Sequence, residues 1–300
     1  MQPTHHMKNV LKYGKRTKFV SKRGGGLSGE VYFVKHRKKR YVVRSCASLE
    51  KAKFYERLSH LFDKKYFLPQ FLTRQGSEVL YEYIGGRQTR KKNESLAVIE
   101  QIGVVAAYIN QVPARGAMDK RFYNQLHELA TGQFMLNKKQ TNASRRAGLS
   151  SREKIAPILS ADEARTIRKV YQYLKKMTKP RLVLDINDLQ ETNFRVRDGK
   201  VYLVDIEGIK PRVRGFGIAK GFMKWFKEPK EQRAFLRGYS RVASTAFYTF
   251  LYKDFLDLNF LLQIINYRWK LHRWKIGIES YEKNRALLNV IIKKYAGKIM

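Results

Sequence analysis

The sequence predicts an α+β protein of two lobes: a small antiparallel-sheet lobe over 1–84 and a larger, mainly helical lobe over 85–300. Three observations predict it. Apolar and polar residues alternate over 18–45, the period of half-buried strands. Helix-period apolar stripes occupy 48–62 and 94–112, a basic helix follows at 161–178, and the final 75 residues read as helical and rich in aromatics. Between these, residues 181–225 hold two short apolar runs, Leu182–Leu184 and Val201–Val204, around a polar loop with Asp188 and Asn193. The second run delivers Asp205 and Glu207.

The first element in chain order is Gly24-Gly25-Gly26-Leu27-Ser28-Gly29, which enters the strand-like run Glu30–Val34. Such a turn lets backbone N–H groups approach phosphates without side-chain obstruction. It equally fits a plain flexible turn, and with no Gly-Lys-Ser/Thr behind it, it is not a P-loop. The basic run Lys35–Arg40 falls at a hairpin tip, a solvated turn or a contact for an anionic surface. Tyr41–Arg44 reads as the next strand, ending on a cation. In a phosphotransfer lobe such a cation reaches the nucleotide phosphates and is held by a helix glutamate. Arginine offers a planar fork there in place of the point charge of lysine. The helix over 48–62 is marked by Leu49, Phe54, Leu58, Leu61 and Phe62, with Ser48 as its cap. Its Glu56 is the candidate partner of Arg44 and Glu50 the alternative; either also fits an exposed helix charge.

Glu78–Ile84 reads as a strand, and Gly85-Gly86 breaks it, as a hinge between lobes would. Residues 113–155 are polar and basic; Phe122, Leu126, Leu129 and Phe134 mark one or two helices, and 138–146 reads as an exposed loop. The most apolar stretch, 242–265, is interrupted by Lys253, Asp254, Asp257, Asn259 and Gln263. It reads as a buried helix of a soluble lobe, since a membrane span needs about 18 or more uninterrupted apolar residues.

Composition narrows the function classes. Hydrophobic residues at 43% and aromatics at 13% fit a folded globular protein. The net charge of +37, from 62 Lys+Arg against 25 Asp+Glu, predicts attraction to polyanions: nucleic acid, anionic lipid or a phosphorylated substrate. A basic surface without a dedicated acidic partner is the plain alternative. The lone Cys46 excludes an internal disulfide framework and a cysteine-rich zinc site. The polar, basic N-terminus lacks the apolar segment of a secretory signal. A cytoplasmic protein, peripheral at the membrane surface through its basic face, is the resulting expectation, and no obligate protein partner is evident.

The loop after Leu182–Leu184 carries the chemistry. A hard cation such as Mg²⁺ takes a few oxygen ligands and keeps some water. Asn193 and Asp205 supply two such oxygens from adjacent loop ends, while Asp188 stays off the metal as a base or orienting acceptor. Asp-x4-Asn alone fits a polar hairpin equally well, because Asp and Asn serve turns for backbone reasons. Asp205 behind a β-branched run gives the phosphotransfer reading its weight.

These residues resemble the choline/ethanolamine kinases, within the aminoglycoside-phosphotransferase-like branch of the protein-kinase-like fold. The family's His-Asn-Asp-Leu-Gln-Glu-Gly-Asn is similar to Ile186-Asn187-Asp188-Leu189-Gln190-Glu191-Thr192-Asn193. Its Ile-Asp-Phe-Glu is similar to Val204-Asp205-Ile206-Glu207, and its Arg-Gly-Phe-Asp-Ile-Ala and Phe-x-x-Trp to Arg214–Ala219 and Phe222–Trp225. Its glycine turn resembles Gly25–Gly29. Departures are Ile186 for a loop histidine that helps hold the loop's shape, Gly29 for Asn, Ile206 for Phe, and Gly217 for an Asp that braces the loop.

The resemblance implies a bilobal kinase-like fold and transfer of the γ-phosphoryl group of ATP, with Mg²⁺, to an alcohol of a small molecule of choline or ethanolamine type. It implies Asp188 as the catalytic base or orienting carboxylate and Asn193 and Asp205 as Mg²⁺ ligands. Gly26, Ser28 and Gly29 would cover the phosphates, Arg44 would contact them, and the backbone from Glu82 to Ile84 would meet the adenine. Aromatic faces hold quaternary ammonium groups, so Trp225, Tyr267, Trp269 and Trp274 with Glu207 form the candidate acceptor box. Aromatics at helical spacing also fit a core. The +37 charge suits a different acceptor, an anionic sugar or lipopolysaccharide-type glycan. A pseudokinase binding nucleic acid or anionic membrane is the reading from another class.

Overall fold

The computed structural model describes residues 17–26, 29–36, 38–62, 65–116, 118–135, 152–154, 157–273 and 281–299. Ser28, Trp274 and the loop expected over 138–146 lie outside the described residues. In chain order the strands are β1 (Thr17–Gly26), β2 (Gly29–His36), β3 (Lys39–Cys46), β4 (Phe71–Gln75), β5 (Glu78–Glu82), β6 (Arg87–Gln88), β7 (Gln133–Met135), β8 (Arg152–Lys154), β9 (Leu182–Ile186), β10 (Phe194–Arg197), β11 (Lys200–Leu203) and β12 (Ile209–Val213). The helices are α1 (Leu49–Leu61), α2 (Leu96–Asn110), α3 (Met118–Thr131), α4 (Ala161–Thr178), α5 (Phe216–Lys224), α6 (Pro229–Ser240), α7 (Phe250–Arg273) and α8 (Glu282–Ala296). The chain divides into two compact units, one within 1–105 and 190–208, the other within 106–189 and 209–300. Ile84, at the lobe boundary drawn from the sequence, falls inside the first of these.

The first unit is built on an antiparallel sheet in the order β1-β2-β3-β5-β4. Alternation puts Val34, Val43 and Leu80 in its core, with Tyr32 and Tyr41 packed beside them. Ser48 caps α1 by accepting the N–H of Lys51 at 3.2 Å, and α1 buries Ala52, Tyr55, Leu58 and Ser59. A second sheet, β11-β10-β6, completes the unit. Its β10–β11 hairpin turns at Asp198 (φ 50) and Gly199 (φ 70). Two central residues with positive φ match the right-handed twist of the flanking strands. At Gly86 (φ +94) a Cβ would lie 2.2 Å from the Val196 carbonyl oxygen, so only glycine lets the chain pass β10 there.

The second unit is mainly helical. Its core joins α3, α4 and α7 through Phe122, Leu126, Tyr171, Leu174, Phe255 and Trp269. The Phe122 and Tyr171 rings stack at 3.7 Å. A Ser160–Glu163 capping box starts α4, and Pro229 opens α6 at its first turn. Phe134, grouped with the helical apolar residues from the sequence, lies in β7 instead. Gly132 (φ +69) ends the helical path just before it. The apolar stretch from 242 becomes helical only at Phe250. Strands β9 and β12 pair antiparallel, with Leu184 opposite Pro211 and Ile186 opposite Ile209. Among the described residues no helix is long and apolar enough to cross a membrane.

Candidate active site

In the first unit a cleft of about 530 Å³ is lined by Val31 and Phe33 of β2, Val42 and Arg44 of β3, and Glu82 and Ile84 at the end of β5. Thr192, Asn193, Asp205, Ile206 and Glu207 line it as well. Six of the residues singled out in the sequence therefore meet here: Arg44, Glu82, Ile84, Asn193, Asp205 and Glu207. Gly26 and Gly29 pair with each other across the β1–β2 hairpin.

Two short 3₁₀ turns, Glu191–Asn193 and Ile206–Gly208, set the polar wall. Asn193 is buried, and its carbonyl accepts the Val204 N–H at 2.9 Å, which ties the two turns together. Thr192 Oγ1 donates to Asn193 Oδ1 at 3.3 Å, and the Glu207 N–H donates to Asp205 Oδ1 at 3.3 Å. One amide oxygen and one carboxylate facing a common cleft form a hard-oxygen donor set, which fits a divalent cation that keeps water in its shell. Among the described residues no cluster of three or more His, Cys, Asp or Glu is placed to hold a metal.

Arg44 corrects one expectation. Its guanidinium ion-pairs with Glu207 and lies 3.9 Å from Asp205 Oδ1, above the Tyr55 ring at 5.7 Å. Glu56 pairs instead with Arg74 Nε of β4 at 2.6 Å. The reason is helical phase. Tyr55 and Lys51, four residues apart, share the face of α1 turned to Arg44, and Glu56 is rotated about 100° away from Tyr55. Lys51 Nζ accordingly lies 4.0 Å from Glu207. Burial opposes the charge on Arg44, but Glu207 and Asp205 overcome it and hold its pKa above the usual value.

The second unit carries Asp188, just past the end of β9. Here α5 packs closely on the loop. A Cβ on Gly217 would fall 2.2 Å from the Ile186 carbonyl oxygen, and one on Gly221 2.5 Å from Leu189 Cδ2. That approach delivers Lys220, whose ammonium ion-pairs with Asp188 and lies 3.4 Å from the Asn187 carbonyl. The sequence reading missed Lys220; its place within the Arg214–Trp225 motif is the signal that could have found it. Asp185 was missed too. Its fully buried carboxylate accepts the Gly217 N–H at 3.1 Å. Burial raises its pKa, while that N–H and the Asn110 side chain oppose the rise. The loop-bracing carboxylate thus comes from β9, and the glycine at 217 makes room for it.

The aromatic box is corrected in its described members. Trp225 is buried with its ring stacked on Phe226 at 4.2 Å. Trp269 is fully buried in the core, while Tyr267 is exposed. Two residues on a helix are about 200° apart, so these two cannot wall one cage. Glu207 is occupied by Arg44 and Lys51.

No family model and no curated protein sequence matches the chain. Solved structures do. The choline kinase LicA from Streptococcus pneumoniae superposes with a TM-score of 0.56 at 16% identity, covering 97% of this chain and 99% of that one. An ethanolamine kinase of Plasmodium vivax gives 0.59 at 14% identity, covering 94% and 85%. An ADP-bound aminoglycoside phosphotransferase gives 0.59 at 12% identity, covering 96% and 95%. The chain has the protein-kinase-like fold that these structures share.

Proposed function

We propose that the protein transfers the γ-phosphoryl group of ATP to an alcohol of a small molecule. The observation that carries the reading is the cleft of the first unit, where Arg44, Asn193 and Asp205 converge as a phosphate-and-cation site requires. Neighbours of the same fold crystallised with AMP or ADP support it. Bound ATP and Mg²⁺ would supply the transferable group and neutralise its charge. The chain's own residues do the rest. Val31, Phe33, Val42 and Ile84 wall the cleft with apolar surface suited to a base. The N–H groups of Glu82 and Tyr83 already donate to the Gln70 and Arg40 carbonyls at 2.9 and 3.2 Å, so Ile84 is the residue of this stretch to meet the base edge. Glu207 holds the Arg44 fork toward the phosphates, and Asn193 and Asp205 hold the cation. Asp188 accepts the proton of the acceptor hydroxyl, with Lys220 fixing its carboxylate. Catalysis of this kind is positioning and charge stabilisation.

The test is ADP release from Mg-ATP against choline, ethanolamine, aminoglycosides and anionic sugars. Asp188→Asn should lower turnover by roughly 10²–10⁴, the usual share of a positioned base. Turnover unchanged by that substitution would sink the reading. ATP-dependent thermal stabilisation with no turnover on any acceptor would favour the pseudokinase.

Motif resemblance favours a choline- or ethanolamine-type acceptor, in a cytoplasmic protein whose basic surface meets anionic membranes. One observation favours the second reading, an anionic acceptor: a pair of arginines in the second unit whose shared cavity has no acidic side chain among the described residues that line it.

A further inference from the structure

A small cavity of about 70 Å³ opens in the second unit between α3, β12 and α7. Its polar lining is Arg121 and Gln125 of α3, Arg212 of β12, and Asn259 and Gln263 of α7. Both helix pairs have a spacing of four, which puts each pair on one face. Among the described residues no acidic side chain lines the cavity. Its volume equals roughly two water molecules at ~30 Å³ each, the size of one phosphate or carboxylate group.

Among the described residues its charged groups are Arg121 and Arg212. Arg121 makes no hydrogen bond or ion pair among the described residues. Arg212 donates from Nε to Asn187 Oδ1 at 2.6 Å and from a terminal nitrogen to its neighbour's carbonyl, that of Pro211, at 3.0 Å, and lies over the Phe216 ring at 5.8 Å. Burial and the neighbouring Arg121 push its pKa down to about 10, against the pull of Asp185. That carboxylate is buried, bonded to the Gly217 N–H, and is not among the residues that line the cavity. Arg121 is exposed and Arg212 half-buried, so water solvates both guanidinium groups in the free protein, and an anion bridging them would add charge-assisted hydrogen bonds. Their planar forks suit phosphate and carboxylate oxygens. The cavity also adjoins the chemistry: the side chain that Arg212 holds, Asn187, precedes Asp188 in the chain, and Lys220 reaches the Asn187 carbonyl and the Asp188 carboxylate.

We propose that Arg121 and Arg212 form the anion subsite for the phosphoryl acceptor, a sugar carrying a phosphate or carboxylate group. The assignment of the bound molecule as acceptor rests on the phosphotransfer reading; the anion site itself does not.

Calorimetric titration at fixed ionic strength with glucose 6-phosphate, glucuronate and glucose tests it, with inorganic phosphate as competitor. At least one anionic sugar should bind tenfold or more tightly than glucose. Arg121→Gln should weaken that binding tenfold or more, Arg121→Lys should restore part of it, and the thermal shift with Mg-ATP should stay unchanged in both variants. Equal binding of glucose and the anionic sugars, or binding indifferent to Arg121→Gln, would overturn the proposal. So would inorganic phosphate binding as tightly as either sugar, because the site would then read only a generic anion. Arg121-dependent binding without ADP release would support the anion site and count against phosphotransfer. ADP release with choline, unaffected by Arg121→Gln, would do the reverse.

Discussion

Two arginine sites stand in opposite surroundings. In the first unit the Arg44 side chain is 9% exposed and closed off by Glu207, with Asp205 and the Tyr55 ring beside it. In the second unit Arg121 and Arg212 share a cavity that no acidic side chain lines among the described residues. The difference teaches what each is for. A buried cation matched by a carboxylate is a fixture: its fork points one way and the fold depends on the pair. Arg121, exposed and with no hydrogen bond or ion pair among the described residues, adds little to the fold and is open to charge from outside. The two sites should therefore respond in opposite senses to substitution.

The largest effect should come from Glu207→Ala. Removing one partner of a buried pair strands the other charge, at a cost of roughly 3 kcal/mol when the pair is nearly dry. Asp205, at 3.9 Å and with a side chain 39% exposed, compensates little. Urea denaturation of the variant should show this loss, along with a weakened thermal shift by Mg-ATP. A loss under about 1 kcal/mol, the range of surface ion pairs, would mean that Arg44 is not sealed in solution, and the contrast between the two units would collapse.

That contrast also marks where sequence reasoning reaches and where it stops. Local signals carried far. The Asp198-Gly199 turn, the Ser48 cap and the helix over 161–178 depend on residues a few positions apart, and each is found in the structure. Asp188, Asn193 and Asp205 stood out for the same reason: their chemistry is set by short spacing along one loop and the following strand. Partners far apart in the chain were not legible. Arg44 and Glu207 are joined only once the first unit has folded, and helix phase decides that Tyr55 and not Glu56 faces the cation. The exchange of bracing carboxylate, Asp185 in β9 with glycine at 217, needs two elements brought within a hydrogen bond of each other. The aromatic box failed differently. Its spacing fitted a core as well as a cage, and burial chose the core for Trp225 and Trp269.

A second sealed pair gives an intermediate effect. Glu94 accepts from both terminal nitrogens of Arg87 at 2.7 Å and from the Arg90 and Ser95 N–H groups at 2.7 and 3.0 Å. Burial pushes its carboxyl pKa up, but the hydrogen bonds from Arg87, Arg90 and Ser95 outweigh this and hold it below the usual value. A depressed folded pKa gives stability that is fully present above the ordinary glutamate pKa of about 4.3 and is lost as pH falls through the folded value. Glu94→Gln should cost about 2 kcal/mol at neutral pH, less than a fully buried pair because the Arg87 side chain is 40% exposed. The variant should also lose less of its stability than wild type as pH is lowered below 4. Parallel acid titrations of the two would reveal a common pH dependence if Glu94 is not the group responsible.

The smallest effect on stability should be Arg121→Gln, and its sign is what matters. Arg121 is exposed and makes no hydrogen bond or ion pair among the described residues, so the variant should match wild type within about 0.5 kcal/mol or exceed it. Added inorganic phosphate sharpens this. An anion that binds the native state alone stabilises it in proportion to the logarithm of its concentration over its dissociation constant. Wild type should gain from phosphate beyond what chloride gives at the same ionic strength, and Arg121→Gln should gain less. If Arg121→Gln instead destabilised the protein as strongly as Glu207→Ala, with an identical response to phosphate, Arg121 would be a fixture like Arg44. The cavity would then be part of the fold's own electrostatic closure, not an opening for a ligand.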